Sequence, residues 1–102
     1  MIIAIPTDDG NTVSEHFGHS KYFLLVDTEK KENKRLNENP HEKEENEAAG
    51  HGKLLKMLVE DKVNEIICSN LNPRMEKNLS SLRITIKKVE SGSNIESLIS
   101  QL

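Results

Sequence analysis

Ile2-Ile3-Ala4-Ile5-Pro6 opens the chain with a short, β-branched run that is closed by a proline. Such a run predicts a buried strand that ends before the proline. Farther along, Val63-Asn64-Glu65-Ile66-Ile67-Cys68 predicts another strand, and the Asn72-Pro73 pair after it is typical of a helix start, with asparagine as the N-cap. A strand that is followed by a helix in this half of the chain favours parallel crossover connections.

The other predicted elements surround these two strands. Residues 21–27 form an aromatic and branched strand, residues 30–36 a weak edge strand rich in lysine, and residues 84–89 the last strand. Residues 7–18 and the polar run 38–47 are loops. The helix over residues 48–62 carries the apolar stripe Leu54, Leu55, Leu58 and Val59, the next carries Met75, Leu79 and Leu82, and the last carries Ile95, Leu98, Ile99 and Leu102.

The predicted order of elements is therefore β-β-β-α-β-α-β-α. Three consecutive strands favour an antiparallel meander, and the later helices favour parallel pairing. A mixed five-stranded sheet in the order 3-2-1-4-5 satisfies the right-handed crossover rule. The capping-box pattern Ser93-Asn94-Ile95-Glu96, with Ser93 as the N-cap, opens the last helix. We therefore expect one α/β domain over residues 1–102.

Composition excludes several classes of protein. The chain has 102 residues, a net charge of −3 and one cysteine. This charge argues against a nucleic-acid-binding protein, which should carry a basic face. No apolar run approaches the ~18 residues of a membrane span. The lone Cys68 excludes an intramolecular disulfide, and we expect a reduced, cytoplasmic setting.

Every histidine and the cysteine fall near one edge of the predicted sheet. His16 and His19 follow the first strand, His41 follows the third, His51 lies at the start of the first helix, and Cys68 ends the fourth strand. Open sheets of this kind bind ligands outside the carboxyl ends of their strands. Imidazole and thiolate groups suit iron, zinc or an iron–sulfur species, so this edge is a candidate metal site.

Glycines accompany these histidines. Gly18 lies between His16 and His19, where it allows a tight bend or a close backbone approach, and Gly50 and Gly52 flank His51 at a helix start that favours anions. A negatively charged metal cluster would suit both features. The polar run around His41 predicts a flexible, exposed arm. Each residue also has an ordinary interpretation, namely solvated loop histidines and, for Cys68, a small hydrophobic residue at the end of a strand.

The stretch Val13-Ser14-Glu15-His16-Phe17-Gly18-His19-Ser20-Lys21-Tyr22-Phe23, after the strand that ends at Pro6, resembles the dinitrogenase iron-molybdenum cofactor biosynthesis family. His19 stands where that family usually has arginine. Glu38-Asn39-Pro40-His41 and Gly50-His51-Gly52 also resemble family positions, so the resemblance covers nearly the whole chain. The turn Ser69-Asn70-Leu71-Asn72-Pro73 departs from the Gly-Ile-Gly-type turn that is frequent in the family.

The resemblance implies a ribonuclease-H-like, three-layer fold. It also implies that the protein binds or carries an iron–sulfur-based metallocluster of the iron-molybdenum-cofactor type or a precursor, with or without molybdenum, and is not an enzyme. His16 is the first ligand it suggests, His51 the next and His41 a weaker one, while His19 and Gly18 lie in the same motif. A protein that donates or accepts the cluster would be the partner.

Two other classes of function compete with this one. A protein-interaction or regulatory domain of the same fold, without a ligand, is the main alternative. A two-metal nuclease would need a carboxylate on the first strand, and that strand has none. A Ser–His or Cys–His hydrolase has no nucleophile-elbow pattern in its favour.

Overall fold

A computed structural model describes residues 1–30, 34–43 and 47–101 of the chain, with residues 42, 43, 47 and 48 described in their backbone alone. The strands are β1 (Ile2–Thr7), β2 (Tyr22–Asp27), β3 (Lys34–Glu38), β4 (Val63–Cys68) and β5 (Thr85–Lys88). The helices are α1 (Glu47–Glu60), α2 (Pro73–Ser81) and α3 (Ile95–Ser100), and a 3-10 turn spans Pro40–Lys43.

The five strands form one mixed sheet in the order β3-β2-β1-β4-β5, as predicted. β1 pairs antiparallel with β2 and parallel with β4, β2 pairs antiparallel with β3, and β4 pairs parallel with β5. The carboxyl ends of β1 and β4 therefore lie at the same edge of the sheet, which we call the upper edge.

Both faces of the sheet are covered by helices. On one face, Ala4, Phe23, Leu25, Ile66 and Cys68 belong to a core with Leu54 and Leu58 of α1 and Met75 and Leu79 of α2. On the other face, Ile3, Ile5, Leu24, Val26 and Ile67 belong to a core with Ile95 and Ile99 of α3. Because neighbouring residues of a strand point to opposite faces, burial on both faces explains why β1, β2 and β4 have continuous apolar runs.

β1 continues through Pro6 to Thr7, beyond the predicted end of the strand at Ile5. The parallel partner β4 pairs only with Ile2, Ile3 and Ala4, whereas β2 pairs with β1 along its whole length. Pro6 therefore lies where β1 has a strand on one side only. A proline without an N–H group is tolerated at such an edge position.

The third strand also differs from its prediction, because it spans Lys34–Glu38 and not residues 30–36, of which 31–33 lie outside the described residues. Its register is set by β2, with Leu36 opposite Leu24. The prediction of an edge strand is confirmed, and Leu36 is accordingly 46% exposed.

The helix caps were predicted correctly for α2 and one residue too early for α3. Asn72 caps α2, where its side-chain oxygen accepts a hydrogen bond from the Met75 N–H. α3 is capped by Asn94, whose Oδ1 accepts from the Ser97 N–H at 3.0 Å. The predicted cap, Ser93, instead donates its hydroxyl to the Glu90 carbonyl in the preceding turn.

The helix faces follow the predicted stripes in part. Leu54 and Leu58 of α1 are fully buried, but Val59 is 54% exposed. Leu82, which follows α2, is 42% exposed, and Leu102 lies outside the described residues. None of the helices in residues 1–30, 34–43 and 47–101 has the length and apolar character that crossing a membrane requires.

Candidate functional site

A pocket of about 410 Å³ lies at the upper edge of the sheet. Its wall includes His16, His19 and His51, together with residues 70–72 of the loop between β4 and α2. His16 and His19 are exposed, and His51 is half-buried. The structure thus brings together three of the four histidines from two separate elements, the loop after β1 and helix α1.

Hydrogen bonds hold the loop that carries His16. The Asp8 carboxylate accepts from the Lys21 N–H at 2.9 Å and from the Ser14 hydroxyl at 3.2 Å, and the Ser14 oxygen accepts from the His16 N–H at 3.2 Å. The Asn70 side chain donates to the Glu15 carbonyl at 3.0 Å. An isolated parallel bridge between His16 and Asn70 extends the contact of β1 with β4, so His16 has a defined backbone position.

The Asp8-Asp9-Gly10 stretch is the turn that the sequence predicts. One Asp9 carboxylate oxygen accepts from the N–H groups of Asn11 and Thr12, at 2.8 and 2.9 Å. These backbone hydrogen bonds lower the pKa of Asp9 to about 2, because they stabilise its charged form. Gly10 has a φ of 82°, which favours glycine at this position.

His41 is buried, with 3% of its surface exposed, so the prediction of an exposed, flexible arm is wrong for this residue. The cause is Asn39, which is itself 1% exposed. The Asn39 amide donates to the carbonyls of Gly18 and Ser20, at 3.1 and 2.8 Å, and its oxygen accepts from the His41 N–H at 3.0 Å. Asn39 thereby attaches the chain before His41 to the loop between β1 and β2, residues 8–21, which carries His16 and His19 and which we call the histidine loop.

The His41 ring contacts two histidines of the pocket wall. Its centroid lies 4.8 Å from that of His51 in a stacked arrangement and 4.9 Å from that of His19 in an edge-on arrangement. A Cβ atom at Gly50 would lie 2.8 Å from Cδ2 of His41. Gly50 therefore admits the His41 ring against α1.

Gly18 and Gly52, the other two glycines that accompany histidines, have open space where a side chain would stand. An added Cβ atom at Gly18 or Gly52 would meet nothing within 4 Å. The expected close backbone approach thus occurs at Gly50, and the space beside Gly18 belongs to the pocket.

His51 lies in the second turn of α1 and not at its start, because the helix begins at Glu47. The N–H groups that lack a helical partner belong to the first turn of a helix. The anion-binding amides that were expected beside His51 are therefore one turn away from it. His51 contributes its side chain to the pocket.

Cys68 is fully buried in the core shared with α1 and α2 and does not line the pocket. Burial raises the pKa of its thiol to about 11. Because a thiolate is the form that binds metals, this position favours the small hydrophobic residue that the sequence also allows. Its role as a metal ligand stays a prediction.

Within the described ranges, no three His, Cys, Asp or Glu side chains form a group that could hold a single metal ion. The three imidazoles of His16, His19 and His51 instead lie around a space of several hundred cubic ångströms.

Comparison with known families places this site in context. The family model described as dinitrogenase iron-molybdenum cofactor matches residues 1–102. The chain belongs to this family. Membership links it to metallocluster biology in general, and the family expectation raised by the His16 motif is confirmed.

Solved structures agree with the fold. The crystal structure of PH0822 is 30% identical, with a TM-score of 0.79, and the match covers 97% of this chain and 85% of that one. The apo form of the orange protein from Desulfovibrio gigas is 13% identical, with a TM-score of 0.83, over 98% of this chain and 84% of that one.

The NMR structure of a Thermotoga protein, TM1290, a candidate NifB protein of the DUF35 family, is 23% identical, with a TM-score of 0.72. That match covers 98% of this chain and 85% of that one. The orange protein and TM1290 are similar to this family member in fold alone. No curated protein matches the chain at a significant level.

Sequence reasoning missed two residues that shape the site. Asn39 and Asn70 each attach a pocket loop through a side-chain amide. Neither has a spacing pattern that marks it. The available signal was asparagine directly before a proline in one case and two residues after a buried strand in the other, which are positions where asparagine often bonds to nearby backbone.

Proposed function

We propose that this family member binds and carries an iron–sulfur-based metallocluster, of the iron-molybdenum-cofactor type or a precursor of it, without catalysing a reaction. The observation that carries the proposal is the pocket at the upper edge, where three imidazoles surround a space much larger than one metal ion. Family membership supports the same class of cargo.

The donor set fits such a cargo. Imidazole nitrogen is a borderline donor that binds iron and other transition metals. Among the residues that the structure describes, the pocket wall also holds Asn70 and Asn72 and no carboxylate, so an anionic cluster would meet no negative charge from them. Hydrogen bonds to cluster sulfurs are a common means of stabilising such groups.

We assign His16 as the principal ligand, with His19 and His51 assisting. The His16 side chain is exposed, and its backbone is held in position by Ser14 and Asn70. Its imidazole can therefore reach the pocket from a fixed backbone position. A ligand on a well-ordered backbone loses less freedom when it binds.

Carriage also requires release. His16 and His19 are exposed at the pocket mouth, so a donor or acceptor protein could reach a cluster held by them. Few ligands and an open position suit exchange better than a closed cage of four cysteines. The partner in this proposal is a protein that delivers or receives the cluster.

Anaerobic reconstitution with iron and sulfide, with and without molybdate, tests the proposal. Wild type, His16→Ala and Glu29→Ala are compared by metal analysis and visible spectroscopy. Glu29 is the control, because it is exposed in the turn after β2, at the opposite end of the sheet.

We expect stoichiometric iron and a charge-transfer band in wild type and Glu29→Ala, and loss of both in His16→Ala. Equal loading of His16→Ala would remove His16 from the ligand set. No metal in folded wild type, including after incubation with a preassembled cluster, would favour the ligand-free interaction domain.

A further inference from the structure

One buried histidine lies behind the pocket wall. His41 is 3% exposed and is not part of the wall, yet its ring contacts two histidines that are. It stacks on His51 with an interplanar angle of 28° and meets His19 at 84°. His19 and His51 come from separate elements, and the His41 ring is a shared contact of both.

The position of His41 is fixed from two sides. On one side, its N–H donates to Asn39, which also bonds to the loop of His19 through the Gly18 carbonyl. On the other side, the ring packs so tightly against Gly50 of α1 that a methyl group there would lie 2.8 Å from it. His41 therefore links the histidine loop to helix α1.

We propose that His41 is a positioning residue, whose buried ring sets the orientation of the His19 and His51 imidazoles and does not itself bind the cargo. The expected effect of His41 on cluster binding rests on the proposed function. Side chains that are already held in a binding orientation lose less rotamer freedom when the cargo arrives. Packing of a supporting ring achieves this without a direct bond to the ligand.

The inference makes Gly50 a second requirement of the site. The Gly50→Ala variant keeps all four histidines in its sequence, but the added methyl group displaces the His41 ring. Alanine at position 52 is the matched control, because the same change two residues farther along the same helix meets nothing within 4 Å.

The test uses imidazole carbon–proton NMR signals of the apo protein at constant pH. The chain has only four histidines, so single alanine variants assign every signal. His41→Phe keeps a ring without nitrogen atoms, His41→Ala removes the ring, and Gly50→Ala displaces it. Cluster uptake after anaerobic reconstitution with iron and sulfide is measured on the same samples, and backbone amide spectra verify the fold.

We expect His41→Ala and Gly50→Ala to shift the His19 and His51 signals and to weaken cluster uptake by about 10-fold or more, because misplaced groups bind poorly. His41→Phe and Gly52→Ala should stay near wild type in both measurements. If packing of His41 served the fold alone, cluster uptake by Gly50→Ala would equal that of Gly52→Ala.

Two results would overturn the inference. Loss of uptake in His41→Phe, with the His19 and His51 signals unchanged, would make His41 a ligand. Unchanged His19 and His51 signals in His41→Ala would show that the ring does not position them. If wild type takes up no cluster, the proposed function fails, while the histidine signals still decide whether His41 orients the two rings.

Discussion

Replacing Asn39 by alanine removes a buried amide that connects the histidine loop with the 3-10 turn. Three hydrogen bonds to backbone groups are lost, two to the carbonyls of Gly18 and Ser20 and one from the His41 N–H. At about 1 kcal/mol for each hydrogen bond, the free energy of unfolding should fall by about 3 kcal/mol. For a domain of this size, that corresponds to a melting temperature lower by about 12–20 °C.

Asn37→Ala is the matched control. Asn37 lies two residues earlier, is half-buried, and donates one hydrogen bond to the Asp61 carboxylate at 3.1 Å. Its loss should cost about 1.5 kcal/mol, the lower end for a hydrogen bond to a charged group, because Asn37 is half-buried. The two variants make the same chemical change in neighbouring positions, so their difference isolates the buried connections of Asn39.

Urea denaturation followed by far-ultraviolet circular dichroism measures both variants. The m-value should stay constant, so that the midpoint reports stability alone. If Asn39→Ala is no less stable than Asn37→Ala, the reasoning is refuted, and the carbonyls of Gly18 and Ser20 do not depend on Asn39.

Three further outcomes follow from particular residues. Gly52→Ala should raise the free energy of unfolding by about 0.5–1 kcal/mol in a urea titration, since Gly52 lies inside α1 with open space around it. A lower free energy of unfolding would mean that the added methyl group meets a neighbour. Alkylation of Cys68 at pH 8 should be about 100-fold slower or more in the native protein than in urea, because the pKa of its buried thiol is raised to about 11; equal rates would place the thiol at the surface. Hydrogen bonds lower the pKa of Asp9 from 3.8 to about 2 in the folded protein. They therefore stabilise the fold at pH values above 3.8, and this stabilisation is lost as the pH falls toward 2. The stability advantage of wild type over Asp9→Asn should therefore shrink between pH 4 and pH 2, and a constant advantage would exclude the carboxylate charge as its source.

The strand order could be predicted from the sequence because the patterns that indicate it are local and strong. The continuous apolar runs in β1 and β4 predict strands that are buried on both faces, and the helix after Asn72 requires a crossover. From that order, the residues after β1 and the start of α1 had to share one edge. Topology thus places His16, His19 and His51 at one edge, and the packing of the loops around them forms the pocket.

Element ends were less predictable, because they depend on partners in the sheet or on neighbouring turns. β3 is displaced toward Glu38 because β2 sets its register. The cap of α3 moves from Ser93 to Asn94 because the Ser93 hydroxyl bonds to Glu90 in the preceding turn. Each difference is one or a few residues, which is the scale of such competition between local hydrogen bonds.

By itself, the sequence determined the α/β class, the strand order and the edge at which the histidines gather, since apolar periodicity and helix caps act over a few residues. Only the tertiary structure decided that His41 is buried behind the pocket and that Cys68 belongs to the core. His41 stands in a polar run that reads as an exposed loop, yet Asn39 and Gly50 bring it inside through contacts up to about twenty residues away along the chain. Burial of that kind depends on packing between distant segments, which no local pattern records.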